Sequence, residues 1–193
     1  MAVASLKQMR QETNAEQEAE RKIPTFFTEE GVVISSSEDI EELSSRGYGT
    51  LENEKLVLKL YETLFLLGKK VIEVEDEKTG KPLDFQNLLQ TFQSVEENAW
   101  VSYLIYRDLR SRGYVVREGF GLGTDFRVYE RGGYGEKTAK YLIFGVYEGN
   151  PVPLKRLARA LKYVQSLKKK LVLAVVNRRG EVVYYSLSQL TLK

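Results

Sequence analysis

Two of the side chains that most often carry acid–base and nucleophilic chemistry are missing from this chain, whose 193 residues include no histidine and no cysteine. No imidazole is present to titrate near neutral pH, and no thiolate to attack an electrophile or bind a soft metal. A metal site would rest on carboxylates alone, which suits Mg²⁺ or Ca²⁺ better than Zn²⁺. What remains for chemistry is tyrosine, lysine, arginine and the hydroxyls. Basic residues gather at Arg107–Arg112, Lys155–Lys170 and Arg178–Arg179. Lys155, Arg159, Lys162 and Lys169 recur at offsets that place them on one face of a helix. Such a stripe can track the phosphates of a nucleic acid, and it can equally be the solvated face of an amphipathic helix. The glycine pairs Gly121/Gly123 and Gly132/Gly135 invite a phosphate-loop reading, but neither precedes a helix, so both read as turns.

Bulk composition sets the frame for these residues. Hydrophobic residues make up 42% and charged residues 29%, the balance of a globular protein, and the formal net charge is only +2. Charge is uneven along the chain: acids exceed bases in residues 1–100, and the order reverses in 101–193. That asymmetry suggests a nucleic-acid contact in the second half, although a Lys/Arg/Glu-rich thermophile-type surface would also produce it. No apolar run approaches the ~20 residues that span a bilayer. The opening MAVASLKQMRQETNAEQEAERK is too polar for a signal peptide. A cytoplasmic location with no membrane partner is the expectation.

The elements that must position the chemistry follow from pattern. Residues 1–22 read as a polar, partly disordered lead. FFTEEGVVISSS from Phe26 reads as two strands around a turn, with Ser37 as the N-cap of a short acidic helix that stops at Arg46-Gly47-Tyr48-Gly49. Leu56, Leu60, Leu64 and Leu67 predict a helix over residues 53–68. VIEVED reads as a strand, and Asp84 caps a further helix. This first unit, 23–95, is a small α+β domain. From residue 96 a helix runs to Gly113 with Trp100, Leu104, Ile105 and Leu109 inward and Arg107, Arg110 and Arg112 outward. Strands follow at 114–120, 123–129 and 140–147. A long helix begins after Pro153, with Leu154, Leu157, Leu161 and Val164 as its buried stripe. LVLAVV (171–176) reads as an interior strand, and NRRG turns the chain into a last strand, EVVYYSLSQL. The second unit, 96–193, is therefore an α/β domain of nuclease-like size, with a mixed sheet flanked by helices.

Longer motifs carry a resemblance. SRGYGTLE followed by LVLKLYETLFLLGKKVIEVED in the first unit, and YLIYRDLRSRGYVVREGF followed by FGLGTDFRVYERG in the second, resemble the archaeal tRNA-splicing endonuclease family over nearly all of residues 31–192. The resemblance implies metal-independent RNA cleavage with no cofactor. In that reaction a ribose 2′-OH attacks the adjacent phosphate and leaves a 2′,3′-cyclic phosphate and a 5′-OH. The family uses a Tyr–His–Lys triad for base, acid and charge stabilisation. The residues matching it are Tyr129 in FRVYERG, Thr138 in GEKTAKYLI and Lys169 in SLKKKLVLA. A threonine hydroxyl does not titrate near neutral pH, and losing a general acid costs on the order of 10²–10⁴ in rate.

Two further departures matter. Where the resemblance implies a base-stacking arginine near Lys162, a lysine lacks the flat guanidinium. The family docks its subunits through an acidic loop in the last hairpin, whereas Asn177–Glu181 here is basic on balance. The expected function is therefore a structural subunit that positions a catalytic partner and the precursor tRNA in an (αβ)2 assembly of the crenarchaeal kind, with RNA contacts from Lys155, Arg159 and Lys162. The alternatives are a catalytic subunit using Tyr129 and Lys169 with an unusual acid, or a stand-alone RNA-binding module.

Overall fold

The computed structural model describes residues 21–121 and 123–189. The polar lead expected over 1–22 and the last residues of the C-terminal strand motif lie largely outside them. The first unit is built on a mixed six-stranded sheet, ordered β3-β4-β2-β1-β5-β6. Its strands are β1 (Ile23–Thr28), β2 (Gly31–Ile34), β3 (Thr50–Glu52), β4 (Lys55–Leu58), β5 (Ile72–Asp76) and β6 (Pro82–Leu83), with β1 and β5 parallel and the other neighbours antiparallel. Helices α1 (Ser37–Ser45), α2 (Leu60–Gly68) and α3 (Phe85–Val95) complete it.

Two boundaries differ from the sequence reading. Ser36, not Ser37, caps α1 and accepts the Asp39 N–H. The helix predicted over 53–68 begins only at Leu60, because residues 50–58 form a hairpin first. Asn53 and Glu54 sit at φ 48° and 63°, the left-handed pair that a two-residue hairpin turn requires. Leu56 and Leu58 then alternate into the core as strand residues, so Leu56 does not share a helical stripe with Leu60 and Leu64. Asp84 does cap α3, accepting the Asn87 N–H at 2.8 Å.

In the second unit, α4 (Ala99–Ser111) is followed by β7 (Val115–Gly121), β8 (Thr124–Tyr129), β9 (Tyr141–Tyr147), α5 (Leu154–Ser166), β10 (Lys170–Val176) and β11 (Val182–Leu187). The sheet order is β11-β10-β9-β8-β7. Strands β9 and β10 run parallel, which the α5 crossover allows; the other pairs are antiparallel. The sheet is sandwiched. On one face α4 buries Tyr103, Leu104, Ile105, Tyr106 and Leu109 in a core that continues through Leu64 and Ile34 of the first unit to Ile143 and Val176 of the second. On the other face α5 closes a smaller core of Leu142, Phe144, Ala160, Val164 and Leu171.

The helix faces need three corrections. Trp100 is 37% exposed, tilted against Tyr103, while Tyr103 and Tyr106 take the inward positions. Arg110 turns inward: its guanidinium lies 3.7 Å from the centroid of the Tyr48 ring and donates to the Arg46 carbonyl. Leu154 is 81% exposed because the buried stripe of α5 is rotated toward Ala160 and Val164, where a small residue lets the helix approach the sheet.

The two units are joined through charge as well as apolar packing. Glu62, at the start of α2, is buried and accepts from the Lys59 N–H (2.9 Å), the Gly49 N–H (3.1 Å) and Arg117 of β7 (3.4 Å). Arg117 also donates to the Gly47 carbonyl. The Arg46-Gly47-Tyr48-Gly49 turn is thus gripped by two arginines of the second unit. Gly47 sits at φ 76°, and a Cβ there would lie 2.5 Å from Val115, so only glycine fits the turn into this junction.

Candidate functional site

The alternation along β8 decides which side chains reach the cleft. Thr124, Phe126 and Val128 are buried toward α4, leaving Asp125, Arg127 and Tyr129 half-buried on the opposite face. Tyr129 ends the strand, and the chain then winds through residues 130–140 before entering β9. That segment is held by the Lys137 N–H to the Gly133 carbonyl (2.8 Å) and by an ion pair between Lys140 and Glu130. The pairing holds the Glu130 carboxyl below its ordinary range and Lys140 above its own. Tyr134 packs edge-on against Tyr129, with ring centroids 5.1 Å apart.

Lys169 reaches the same place from the far side. Helix α5 ends at Ser166, and Lys168 takes a left-handed turn at φ 54°. This removes Lys169 from the helical face predicted to carry it with Lys155, Arg159 and Lys162, and sends its Nζ to the Ala139 carbonyl, next to Thr138. The three residues that sequence motifs single out, Tyr129, Thr138 and Lys169, therefore line one cleft of about 610 Å³. Thr138 is exposed there and Lys169 half-buried. The cleft also contains Phe120 and Arg127, whose guanidinium lies 4.9 Å from the Phe120 ring centroid, and Tyr134. The sequence reading did not pick out these three, although the two-residue period of β8 puts Arg127 on the face of Tyr129.

Such a cleft offers a phenol, an ammonium and a guanidinium, which suits binding and charge stabilisation at a phosphate. Thr138 supplies a hydroxyl, which can accept or donate a hydrogen bond but cannot pass a proton at neutral pH.

A second basic surface lies along α5. Lys155 and Arg159 border a groove of about 470 Å³ together with Arg156, Gly123 and Pro153. Lys162 is exposed on the same helix but does not line that groove. At the other edge of the sheet, the turn before β11 is locked by Asn177, whose Oδ1 accepts the N–H groups of Arg179 (2.9 Å) and Glu181 (3.0 Å), leaving Arg178 and Arg179 exposed.

A helix–sheet sandwich with a tyrosine–lysine–arginine cleft and a basic helix beside it has the equipment of a protein that handles a polyanion. The chain belongs to the tRNA intron endonuclease family: residues 23–89 match the family's N-terminal domain and residues 99–184 its catalytic C-terminal domain. It is 35% identical over 172 residues to a tRNA-splicing endonuclease of Methanococcus vannielii, covering 89% of this chain and 97% of that protein. It is 31% identical over 166 residues to the tRNA-splicing endonuclease of Pyrococcus horikoshii, covering 86% and 95%. A tRNA-splicing endonuclease of Methanococcoides burtonii matches at 35% identity over 163 residues, covering 83% of this chain but only 45% of that protein. No helix among the described residues is long and apolar enough to cross a membrane.

Proposed function

We propose that this chain acts in the excision of introns from precursor tRNA as the structural subunit of a splicing endonuclease, positioning a catalytic partner and the RNA. The observation that carries this reading is Thr138. It stands in a cleft with Tyr129 and Lys169, and the resemblance matches it to the family's histidine, the residue that would supply a proton to the departing 5′-oxygen. Tyr129, Lys169 and Arg127 can still hold a phosphate there. The basic residues Lys155, Arg159 and Lys162 give the subunit a surface for the RNA backbone.

Association with a partner is supported by the sheet edge. Among the described residues strand β11 has a neighbour on one side only, and it exposes Val183 (46%) and Tyr185 (53%). An unpaired strand edge of this kind invites pairing or cover. The Methanococcoides relative, of which this chain matches less than half, is consistent with a working unit larger than one such chain. The arrangement we propose is (αβ)2, of the crenarchaeal two-type kind, with the basic 177–181 turn facing an acidic surface of the partner.

Co-expression with a histidine-bearing member of the family tests this. Light scattering should give the mass of a mixed assembly, and that assembly should cut a bulge–helix–bulge RNA. Failure to associate would favour a stand-alone RNA-binding module. The alternative in which this chain is a cutting subunit with an unusual acid draws on Glu136 and Lys137, which line the same cleft.

A further inference from the structure

At the opposite end of β8 from Tyr129 there is a second, smaller cavity, of about 200 Å³, with a mainly polar lining. It exists because strands β8 and β9 part. Their ladder ends at Phe126 and Ile143. Beyond it, the Gly145 N–H, which an antiparallel partner would otherwise occupy, is taken by Asp125 Oδ2 at 2.6 Å. Gly145 has no side chain to fill the gap, and a Cβ there would lie 2.6 Å from Ile105 and 3.3 Å from Asp125 Oδ2. No other residue among those described donates to the second oxygen of Asp125, and the carboxyl borders the cavity. Burial pushes this carboxyl up, against the pull of the Gly145 N–H and of Arg156. Arg156 faces it from α5, with its guanidinium 4.9 Å from the Phe144 ring centroid, and Ser102, Asn150 and Tyr147 complete the wall.

Arg156 also lines the basic groove with Lys155 and Arg159. The cavity and the groove therefore meet at one guanidinium, with carboxylates on one side of it, Asp125 and Glu97, and cations on the other. A phosphate is repelled by the first and held by the second. A ligand that places a phosphate in the groove and a neutral group rich in N–H donors in the cavity satisfies both. We propose that this is a nucleotide subsite specific for an unpaired guanine of the bound RNA.

The choice among bases follows from hydrogen-bond chemistry. A carboxylate accepts only. Guanine alone offers it two adjacent donors, N1–H and the 2-amino group, while its O6 and N7 accept from an arginine. Adenine and cytosine each offer one donor beside an acceptor, and uracil offers one imide N–H between two carbonyls. Single-stranded bases are recognised in this way, by edge contacts together with stacking on aromatic or guanidinium planes. This inference rests on the RNA-positioning role proposed above and narrows it to one base.

The test is an NMR titration of the full chain, labelled with ¹⁵N, using the four nucleoside 5′-monophosphates and inorganic phosphate. Guanosine monophosphate should shift the Gly145 amide saturably, with an affinity on the order of tenfold or more above the other three. Inorganic phosphate should shift amides around Lys155–Arg159 and leave Gly145 in place. Asp125→Asn keeps an acceptor for the Gly145 N–H but turns an amide toward the base; it should abolish the preference for guanine and keep the phosphate footprint. Equal affinities for the four nucleotides, or a Gly145 amide that none of them moves, overturn the subsite. If that happens while the assembly still binds precursor RNA, the positioning role survives. Loss of both phosphate footprint and RNA binding removes that role as well.

Discussion

The cleft around Tyr129 and the junction around Glu62 are both polar, and they treat their polar groups in opposite ways. At the junction, Glu62 is buried and meets two backbone N–H groups and an arginine; Arg117 has two further acceptors, and Arg110 lies over the Tyr48 ring and donates to the Arg46 carbonyl, with its buried Nε left without a partner among the described residues. In the cleft, Thr138 is exposed, and the Lys169 ammonium makes a single hydrogen bond among the described residues, to a backbone carbonyl. Buried polar groups must be matched or they destabilise the fold. Groups left open to a cleft are available to a ligand. The Arg-Gly-Tyr-Gly motif of the first unit is therefore explained by architecture, because it docks one unit on the other. The motif of the second unit lines an open cleft, which on the proposed reading has lost its titrating member.

The sharpest break of this contrast is at the assembly level. Replacing Val183 and Tyr185 of β11 by glutamate leaves both the junction and the cleft untouched, and co-purification with a histidine-bearing partner should be lost. An unchanged assembly mass would mean that the sheet edge is not the contact.

Next in size is the junction itself. Glu62→Ala removes the buried acceptor of two backbone N–H groups and of the half-buried Arg117 and should cost about 3–5 kcal/mol in a denaturant titration. Thr138→Ala should change stability by less than about 0.5 kcal/mol, as an exposed site does. Similar losses at the two positions would erase the distinction drawn between them.

Reversing Lys155, Arg159 and Lys162 to glutamate should weaken RNA binding by the assembly and lower the slope of log affinity against log salt by up to about 3. The junction is expected to be indifferent, with the same denaturation midpoint. An unchanged affinity and slope would make the α5 stripe a solvated face only.

Proton linkage gives a smaller effect. Burial holds the Glu62 carboxyl above the usual range, against the pull of the Lys59 N–H, Arg117 and the Gly49 N–H. A carboxyl that binds its proton more readily when folded contributes most at low pH. That contribution declines as pH rises from the unfolded value of ~4.3 through the raised folded one. Glu62→Gln does not titrate, so its stability relative to the parent should improve as pH rises through that window. A difference that stays constant from acid to neutral pH contradicts the assignment.

Much of the second unit was legible in the sequence because its signals are local. The period-two run of β8, the apolar run of β10 and the glycine turn after α4 each indicate one element. The convergence of Tyr129, Thr138 and Lys169 was reached through motif resemblance and not through spacing; residues 40 positions apart meet only because β9 and β10 pair side by side. The first unit misled where helix and strand periods overlap. Leu56, Leu60 and Leu64 fit a helix, and only the left-handed pair Asn53-Glu54 separates hairpin from helix. Lys169 was assigned to the helix face for a similar reason, since a left-handed lysine carries no sequence mark. The Asp125 cavity left no signature at all, because it depends on where two strands stop pairing.

The most direct measurement is a single-turnover cleavage assay of the isolated, homogeneous chain on a bulge–helix–bulge RNA, run beside Tyr129→Phe and Thr138→His. The isolated chain is expected to leave the RNA intact, and Thr138→His to stay near that background, because a general acid must also sit within roughly 2.6–3.2 Å of the leaving oxygen. Cleavage by the unmodified chain that Tyr129→Phe removes, or a rise on the order of 10² with Thr138→His, would contradict the account and make this chain a cutting subunit.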